Sequence, residues 1–366
     1  MNSIFIFLFG IIFLVNISLA FMPYWTRKTE NFGVSIPEAM YTRQDFKTMR
    51  KQYTSLLIIT NFVLFAFLIG MKIRLDEQLF VKLFISLTFI YLLISFLIYL
   101  PFHFKMKRIK KEENWQQDLK QTVVIDTRFR EEKLTYSNKW YLIPLLMTIG
   151  TIAYTFFVYE NIPEQVPIHT SFSGKVTYEE KSMGNVLLLP ITQLFMVGMF
   201  LVVNYVIKHS KQQVSAENPE KSKEQNVIFR RRWSLYMIIT AILITGMFTF
   251  LQMTFIYPSL MVYENVVIFS IIGFILFGSI FLSVTTGQGG SRVKSDTKTK
   301  DHVIDRDDDR FWKLGQFYVN KNDPSIFVEK RFGVGWTNNW AHPVSWIFLI
   351  VIITLGVGIP ILLIFL

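Results

Sequence analysis

Two stretches of this 366-residue sequence combine residue types that could carry out chemistry. In the first, residues 160–184, the histidine is His169, and Glu164 and Glu179 are carboxylates near it in sequence. A histidine with carboxylates can act as a general base or bind a metal ion. A single histidine without a second ligand is more often a hydrogen-bonding loop residue, so we predict no metal here. An enzyme stays an alternative, because sequence alone does not give the geometry of these groups.

The second stretch begins with the glycine-rich run Gly287–Arg292 and continues to four aspartates between Asp305 and Asp309. The aspartates resemble a calcium loop. However, the sixth and twelfth residues counted from Asp305 are Arg310 and Gln316, where such a loop has glycine and glutamate. We therefore predict a solvated acidic turn. The glycine-rich run could offer backbone N–H groups to an anion, but a flexible exit from a spanning helix is the simpler interpretation.

Motifs of the well-known catalytic classes are missing. The sequence has no His-Glu-x-x-His helix, no Gly-x-Ser-x-Gly elbow and no phosphate-binding loop of the Gly-x-x-x-x-Gly-Lys type. It also has no cysteine, which excludes disulfides, thiolate metal sites and a cysteine nucleophile. We predict no catalytic residue, no metal and no cofactor.

Apolar runs of bilayer-spanning length dominate the chain. Hydrophobic residues make up 51% of it and the mean hydropathy is +0.36, and a spanning helix needs roughly 20 mostly apolar residues. We predict an all-α integral membrane protein with about eight transmembrane helices. The predicted spans are residues 2–22, 54–71, 80–100, 141–159, 185–207, 233–257, 263–284 and 343–366.

The interior of these predicted helices is almost free of charge. Their central parts contain no Asp, Glu, Lys, Arg or His. Ion-coupled carriers usually place ionisable groups in mid-membrane, so a transporter is the second choice. The polar residues there are predicted to join helices through hydrogen bonds, and they include Asn16, Asn61, Gln193, Asn204 and Gln252.

The net charge of +11 could indicate a nucleic-acid partner, but the positions of the charges argue against one. Basic residues are concentrated in segments 23–53, 101–140, 208–232 and 285–342 and are scarce in the alternate loops. This is the pattern that orients a membrane protein, with the basic segments in the cytosol. We therefore predict a multi-pass protein of the cell membrane with both termini outside, membrane lipid as a partner and no nucleic acid.

The first apolar run, residues 1–22, could also be read as a signal peptide. Ser18-Leu19-Ala20 fits a signal-peptidase site. However, no basic residue precedes the run, and cleavage would leave the basic segment 23–53 outside. We predict that the run is kept as the first transmembrane helix.

The segment 23–53 is predicted to carry a helix of its own. Ser35 and Glu38 have the spacing of a capping box, and Phe46, Met49 and Tyr53 recur at helical spacing among basic residues. This pattern indicates a basic amphipathic helix lying on the inner leaflet. A solvated helix that connects two spans is the alternative.

The other segments complete the domain organisation. Residues 54–100 form two spans, 101–140 a basic cytosolic loop, 141–207 a helix pair, 208–232 a linker, 233–284 a second pair, and 343–366 the last span. Short β-branched and aromatic runs predict strands at 122–127, 317–319 and 326–328. The last two are predicted to form a hairpin across turn residues 320–324.

The outer loop, residues 160–184, is the predicted ligand-binding segment. Pro163 and Pro167 keep the chain out of a helix and restrict it, so that little ordering entropy is left to lose on binding. Gly174 permits a turn, and Lys181 precedes the next helix. Together with His169, these are the candidate binding residues, although an inert connector would have the same pattern.

The same five residues carry a resemblance to the domain-of-unknown-function 1648 family of bacterial membrane proteins. Its pattern reads roughly Leu/Ile-Pro-x-x-Ile/Val-Pro-x-His, then a polar run with Gly, then Lys before an apolar helix. The usual Asn after the His and the usual Trp before the Lys are absent here, where Thr170 and Ser171 follow His169. The family includes the SdpI-type immunity proteins, so the resemblance implies protection of a producer against its own killing peptide.

A second resemblance covers about residues 307–343, within the segment 285–342. This part is similar to the domain-of-unknown-function 5808 module, which commonly accompanies the first motif. The matching residues, predicted to be structural or to meet a partner, are Trp312, Gly315, Tyr318, Asn320, Asp323, Pro324, Gly333, Gly335, Trp336 and Asn339. We predict a small cytosolic β/aromatic module in which Trp312, Phe317, Tyr318, Phe327 and Trp336 pack together.

The sequence thus favours a receptor or immunity-type or envelope-stress protein over an enzyme. Its outer loop would meet an extracellular peptide or envelope component, and its inner module would report to a cytosolic regulator. The alternative is a multi-pass transporter without a charged intramembrane relay.

Overall fold

Eight α-helices frame the part of the chain that the computed structural model describes, namely residues 3–115, 120–122, 129, 132–170, 176–294, 303–305 and 308–354. The helices are α1 (Ser3–Trp25), α2 (Gln44–Arg74), α3 (Glu77–Glu113), α4 (Leu142–Phe157), α5 (Met183–His209), α6 (Pro219–Ile256), α7 (Glu264–Thr286) and α8 (Pro343–Ile353).

The first seven helices are long and apolar enough to cross a membrane, judged by length and composition over the described residues. The structure is therefore mostly helical, and its seven candidate spans are consistent with the predicted multi-pass membrane protein. The eighth predicted span, 343–366, is described only as far as residue 354, and the 11 residues of α8 are too short to span a bilayer by themselves. The count of eight spans therefore stays a prediction.

Neighbouring helices are joined by the intramembrane amides, as predicted. Asn16 of α1 donates to Asn61 of α2 at 2.9 Å. Gln193 of α5 donates to the Thr249 hydroxyl of α6 at 2.9 Å, and Gln252 of α6 donates to the Val186 carbonyl of α5 at 3.0 Å. In hydrocarbon such bonds are favoured because an unpaired amide has no water to replace its partner.

Asn204, near the C-terminal end of α5, also hydrogen-bonds to neighbouring elements. It donates to the Asn138 side chain at 2.7 Å and accepts from the Ser234 hydroxyl of α6 at 2.7 Å.

Helices α4, α5 and α6 pack on one another, and α6 also packs on α7. Helix α7 contacts α1, α1 packs on α2, and α2 packs on α3.

Several helices extend well past the predicted spans at one end of the bundle. Helix α2 begins at Gln44, where the prediction placed a separate amphipathic helix, and runs unbroken through the second span. Phe46, Met49 and Tyr53 are buried in a hydrophobic cluster between α1, α2 and α3. The apolar side of this helix therefore packs inside the protein and not on a leaflet, while Lys47 and Lys51 on its polar side are exposed.

The predicted capping box at Ser35 and Glu38 is also wrong. A short 3-10 helix starts at Glu38, and no side chain caps it. The Ser35 hydroxyl donates instead to the Asp309 carboxylate at 3.0 Å. A tertiary partner nearly three hundred residues away has replaced the local hydrogen bond.

The strands form five two-stranded pairs. They are β1 (Glu30–Asn31) with β2 (Val34–Ser35), β3 (Lys120–Thr122) with β6 (Val303–Asp305), β4 (Gln165–Thr170) with β5 (Val176–Glu180), β7 (Trp312–Lys313) with β8 (Phe317–Tyr318), and β9 (Phe327–Glu329) with β10 (Trp336–Asn338). Of these five pairs in the described part of the chain, β3–β6 is parallel and the others are antiparallel.

The predicted hairpin between 317–319 and 326–328 is wrong. Strand β8 turns back on β7, while β9 pairs with β10. The third predicted strand, 122–127, is observed at 120–122 and pairs with β6, and residues 123–127 lie outside the described residues. The tight turn at Leu314 and Gly315, both at positive φ, closes the β7–β8 hairpin before the predicted turn is reached.

The aromatic residues of this region do not pack together as predicted. Trp312 and Tyr318 do share a cluster, with ring centres 5.1 Å apart. Phe317 lies against Phe96 of α3, Phe327 against Phe348 of α8, and Trp336 against Phe229 of α6. The module therefore has a small core around Trp312 and Tyr318, and its other three aromatic side chains pack on helices α3, α6 and α8.

Candidate functional site

The hairpin β4–β5 stands at the end of α4 and the start of α5, and it is the segment that the sequence marked for ligand binding. Its base is a buried cluster in which Ile162 and Val166 pack against Val186 of α5 and against Phe255 and Ile256 of α6. Val166 is fully buried. The hairpin, which follows α4 in the chain, is therefore packed against α5 and α6.

The predicted binding residues are distributed along this hairpin. Pro163 is exposed in the irregular stretch before β4, and Pro167 lies in β4 opposite Tyr178. His169 lies in β4 opposite Thr177, after a bulge, and its side chain is outside the described residues, as is Gly174. The two prolines do keep this stretch out of a helix, as predicted.

Lys181 fastens the hairpin to the end of α4. Its Nζ donates to the carbonyl oxygen of Ile162 at 3.1 Å and lies 5.3 Å from the centre of the Tyr159 ring. It also lies 3.1 Å from the Glu164 carboxylate, but that carboxylate is 88% exposed, so solvent screens the pair. The Lys181 side chain, only 11% exposed, is used inside the protein.

Strand β5 forms an edge of the hairpin on which the Glu180 carbonyl already accepts from the Asn185 side chain at 3.0 Å. Because Pro167 has no N–H, the Pro167–Tyr178 pair lies at a position of the ladder where backbone groups point away from the partner strand. The hydrogen bond from Lys181 N to Glu164 O, at 2.8 Å, fits the same alternation. The backbone groups of Tyr178 therefore point outward, and its side chain is 49% exposed.

A second, larger assembly of polar residues lies at the opposite end of the bundle. It is built from the four basic segments, 23–53, 101–140, 208–232 and 285–342, and is called here the basic face. Glu329 of β9 is fully buried and accepts from Asn226 of α6 at 2.7 Å and from Arg230 of α6 at 3.2 Å. It also pairs with Arg27, which follows α1 and donates to Gln213. One carboxylate therefore joins α1, α6 and the C-terminal module.

The predicted solvated acidic turn is described at Asp308 and Asp309, which are partly buried and ion-paired, while the side chains of Asp305 and Asp307 lie outside the described residues. Asp309 pairs with Lys110 of α3 at 2.6 Å, and both Asp308 and Asp309 pair with Arg331. The Arg331 side chain is 3% exposed. These aspartates serve as counter-ions for buried cations, a role that charge spacing along the chain cannot reveal.

The glycine-rich run is a packed turn and not a flexible exit. Gln288 is fully buried; its side chain donates to the Gly335 carbonyl at 3.0 Å and accepts from the Gly335 N–H at 2.6 Å. Gly290 has a φ of +81°, and a Cβ there would overlap the carbonyl oxygen of Gln225. The N–H groups of residues 290–293 donate to carbonyls within the run or at its start. These four groups are thus already used, which argues against an anion cradle.

Backbones approach closely where the module meets the first loop. Gly33 and Gly315 both have positive φ, and a Cβ on Gly33 would overlap the carbonyl oxygen of Gly315. A Cβ on Gly315 would come within 2.5 Å of the Tyr99 hydroxyl. That hydroxyl donates to Phe32 O or Leu314 O, each at 3.0 Å. Glycine is required at both positions.

The remaining module residues hold the module itself together. Asn339 is buried and donates to the carbonyls of Asn320 and Asp323 at 2.9 and 3.1 Å, while its own side-chain oxygen accepts from the Asn320 N–H. Asp323 is buried, but hydrogen bonds from Lys211, Tyr318 and Ser325 outweigh desolvation and lower its pKa to about 2. Gly333 donates to Thr26 at 3.1 Å, and Pro324 is exposed.

A cavity of about 220 Å³ opens within the basic face. It is lined by residues from 27–38, from 211–225, from 289–291 and from 308–331, together with Lys110 and Trp115. Among the described residues, no group of three or more His, Asp or Glu side chains could hold a metal ion.

Glu30 is the buried carboxylate in this wall. Desolvation raises its pKa to about 7, although the cations Arg27 and Arg331 favour the charged form. The neighbouring acids Glu329 and Asp309 add to the rise. This carboxyl therefore titrates near neutral pH.

Sequence reasoning missed the cavity and the two ionic centres around Glu329 and Arg331. The available signal was the presence of acidic residues inside segments otherwise rich in Lys and Arg. That signal could not say which acid meets which base, because the partners come from separate segments.

Two segments match known families. Residues 146–194 match a family described as Domain of unknown function (DUF1648), and residues 321–346 match the Family of unknown function (DUF5808). The first match contains the whole hairpin, and the second contains β9, β10 and the start of α8. Both predicted resemblances are thus confirmed over the matched residues, but Trp312, Gly315, Tyr318 and Asn320 precede the second match. No curated protein and no solved structure matches the chain.

Proposed function

We propose that this chain is a receptor of the immunity or envelope-stress type in the cell membrane, and that its hairpin β4–β5 binds an extended peptide. The observation that carries the proposal is the outward-facing backbone of Tyr178 at the edge of β5, on a hairpin that packs against α5 and α6. An exposed strand edge binds a peptide by adding it as a further strand, with main-chain hydrogen bonds supplying affinity. The resemblance to SdpI-type immunity proteins supports a peptide as the ligand.

The asymmetry of the hairpin favours β5 over β4 as the binding edge. Strand β4 contains Pro167, which removes an outward N–H, and Val166, which is buried against the helices. Strand β5 has no proline, and Thr177, Tyr178 and Glu179 are exposed. A peptide strand would therefore pair with the outward N–H and C=O of Tyr178.

The charge distribution supports an outward-facing hairpin. The basic segments lie at the opposite end of the helices, which the positive-inside rule places in the cytosol, with both termini outside. A cytosolic regulator would then meet the exposed side of the module, where Phe317 is 40% exposed. The transporter alternative has less support, because Asn16, Gln193 and Gln252 bond to neighbouring helices.

The test compares two substitutions at one residue. Cells that lack the chain are challenged with the secreted peptide fraction of their own culture and with envelope stresses, and are complemented with Tyr178→Pro or Tyr178→Ala. Proline removes the outward N–H but leaves the ladder to β4 intact, whereas alanine removes only the side chain. We expect alanine to restore resistance and proline to fail, at equal membrane abundance.

Glu179→Pro is the control for the hairpin itself, because Glu179 faces Val166 at a ladder position bonded to β4. It should lower membrane abundance or hairpin integrity, which Tyr178→Pro should not do. Full complementation by Tyr178→Pro would overturn strand addition on β5.

A further inference from the structure

The cavity in the basic face has the charge of an anion-binding site. Its wall carries six Lys and Arg side chains and four Asp and Glu side chains. Some of the cations are already paired, as Lys110 is with Asp309 at 2.6 Å. Lys28 is exposed and makes no ion pair with a described residue, and Lys221 is 4.0 Å from its nearest carboxylate, that of Glu38. These two cations can turn toward a bound anion.

Several residues that line the cavity also carry buried polar atoms with no hydrogen-bond partner among the described residues. These atoms are Glu30 Oε2, Gln212 Nε2, Ser215 Oγ, Ser291 Oγ and Trp312 Nε1. Glu30 is 6% exposed and Trp312 is 4% exposed. These atoms have no surface open to the cavity as it stands, but a buried polar group without a partner costs free energy, so a ligand toward which these side chains turn would recover that cost.

The types of these atoms define the ligand groups that they would require. Trp312 Nε1 and Gln212 Nε2 only donate and therefore require acceptors. The carboxylate of Glu30 requires a donor, and the serine hydroxyls can serve in either role. A fitting ligand has several acceptor oxygens, a negative charge for the lysines, and at least one O–H or N–H group.

We propose that this cavity binds a small phosphate ester that also carries a hydroxyl or amine group. The phosphate would lie between Lys28, Lys221 and Trp312, and the hydroxyl or amine would lie toward Glu30. Phosphate suits the site because its oxygens accept charge-assisted hydrogen bonds from several donors at once. A soluble sugar phosphate and a phospholipid headgroup both present this chemistry.

Such a ligand would join the first loop to the module. Lys28 and Glu30 follow α1, Lys221 lies in the first turn of α6, and Trp312 begins the module. A ligand that binds only this assembled arrangement stabilises it in proportion to its occupancy. Binding is therefore measurable as a rise in unfolding temperature, without knowledge of any activity.

The experiment uses the purified full chain in detergent. Glycerol 3-phosphate is titrated against potassium chloride of matched ionic strength, and nanodiscs of phosphatidylglycerol are compared with nanodiscs of phosphatidylcholine. We expect glycerol 3-phosphate or phosphatidylglycerol to raise the unfolding temperature above its control. The response to one or the other distinguishes the soluble source from the lipid.

Variants test whether the effect arises in this cavity. Lys221→Gln removes a cation whose side chain is 24% exposed, so the fold should survive, and Trp312→Phe keeps the ring but removes the N–H. Each should weaken the binding by about tenfold, the loss of one charge-assisted or buried hydrogen bond. Lys313→Gln, an exposed cation of the same module outside the cavity, should leave it unchanged.

Two results would overturn the proposal. One is the absence of stabilisation by both glycerol 3-phosphate and phosphatidylglycerol relative to their controls. The other is an equal response from Lys221→Gln, Trp312→Phe and Lys313→Gln, which would show diffuse attraction to a basic surface.

Discussion

Glu329→Gln should loosen the C-terminal module from the helix bundle. The substitution keeps the shape of the side chain and one carbonyl oxygen but removes the charge that Arg230 and Arg27 share. The side chains of Glu329 and Arg230 are both 0% exposed, so water cannot replace the lost counter-charge. Breaking a buried ion pair by removing one partner costs about 3–5 kcal/mol.

The lower end of that range applies, because Gln can still accept from Asn226, which donates to Glu329 at 2.7 Å. A loss of about 3 kcal/mol corresponds to roughly a hundredfold increase in the population of the opened module. The site that reports opening is the peptide bond after Arg331, whose side chain is 3% exposed. Trypsin can cleave there only when the module separates from the helices.

The assay measures cleavage after Arg331 in the purified chain by mass spectrometry, at trypsin concentrations low enough for opening to equilibrate. The cleavage rate then follows the opened population. The matched control is Glu113→Gln, which removes an exposed partner of Arg43, with side chains 33% and 38% exposed. Such pairs contribute about 0–1 kcal/mol, so its rate should rise by less than about fivefold. Equal rates for the two variants would refute the structural role given to Glu329.

Three further predictions concern sidedness, pH and packing. The chain has no native cysteine, so single cysteines can be introduced at Glu180 and Lys321, which are both exposed. In intact cells, an impermeant thiol reagent should label residue 180 and not residue 321. Labelling of residue 321 would contradict the topology. Burial raises the pKa of Glu30 to about 7 in the folded state, so the folded protein holds this proton more tightly than the unfolded chain. The free energy of unfolding should therefore fall by up to about 3 kcal/mol as pH rises from about 4.5 to 7. Glu30→Gln should flatten this pH dependence in thermal unfolding. Gly290→Ala should destabilise by at least about 2 kcal/mol in the same assay, because its φ is +81° and its Cβ meets backbone. Gly246→Ala in α6 should be tolerated, since the nearest atom is a methionine methyl 3.6 Å away, and equal losses from both would refute the argument.

Local sequence pattern determined the parts of this protein that depend on chain composition alone. A run of about twenty apolar residues has to satisfy its backbone groups internally, so the first seven spans follow from hydropathy. Pro163 and Pro167 exclude a helix by their own geometry. The amides Asn16 and Gln193 were predictable as helix contacts because an amide inside a membrane needs a partner.

Pattern failed where a distant residue competed with a local one. The Ser35–Glu38 spacing indicates a cap, but Asp309 offers the Ser35 hydroxyl a charged acceptor, and an ionised partner makes the stronger hydrogen bond. Residues 44–53 were predicted to lie on a membrane surface because no segment next to them in sequence could be recognised as covering their apolar stripe. The segment that covers it is the loop after α1, with Phe32 against Tyr53 at 5.5 Å.

Only the tertiary structure determined the basic face. Arg27 and Glu329 are separated by 302 positions in the chain, and no periodicity links them. The same holds for Gly33 and Gly315, whose need for glycine comes from the close approach of two backbones and not from a turn signal alone. A sequence records the number of charges and glycines in each loop, but the partner of each is decided by the way the helices bring the loops together.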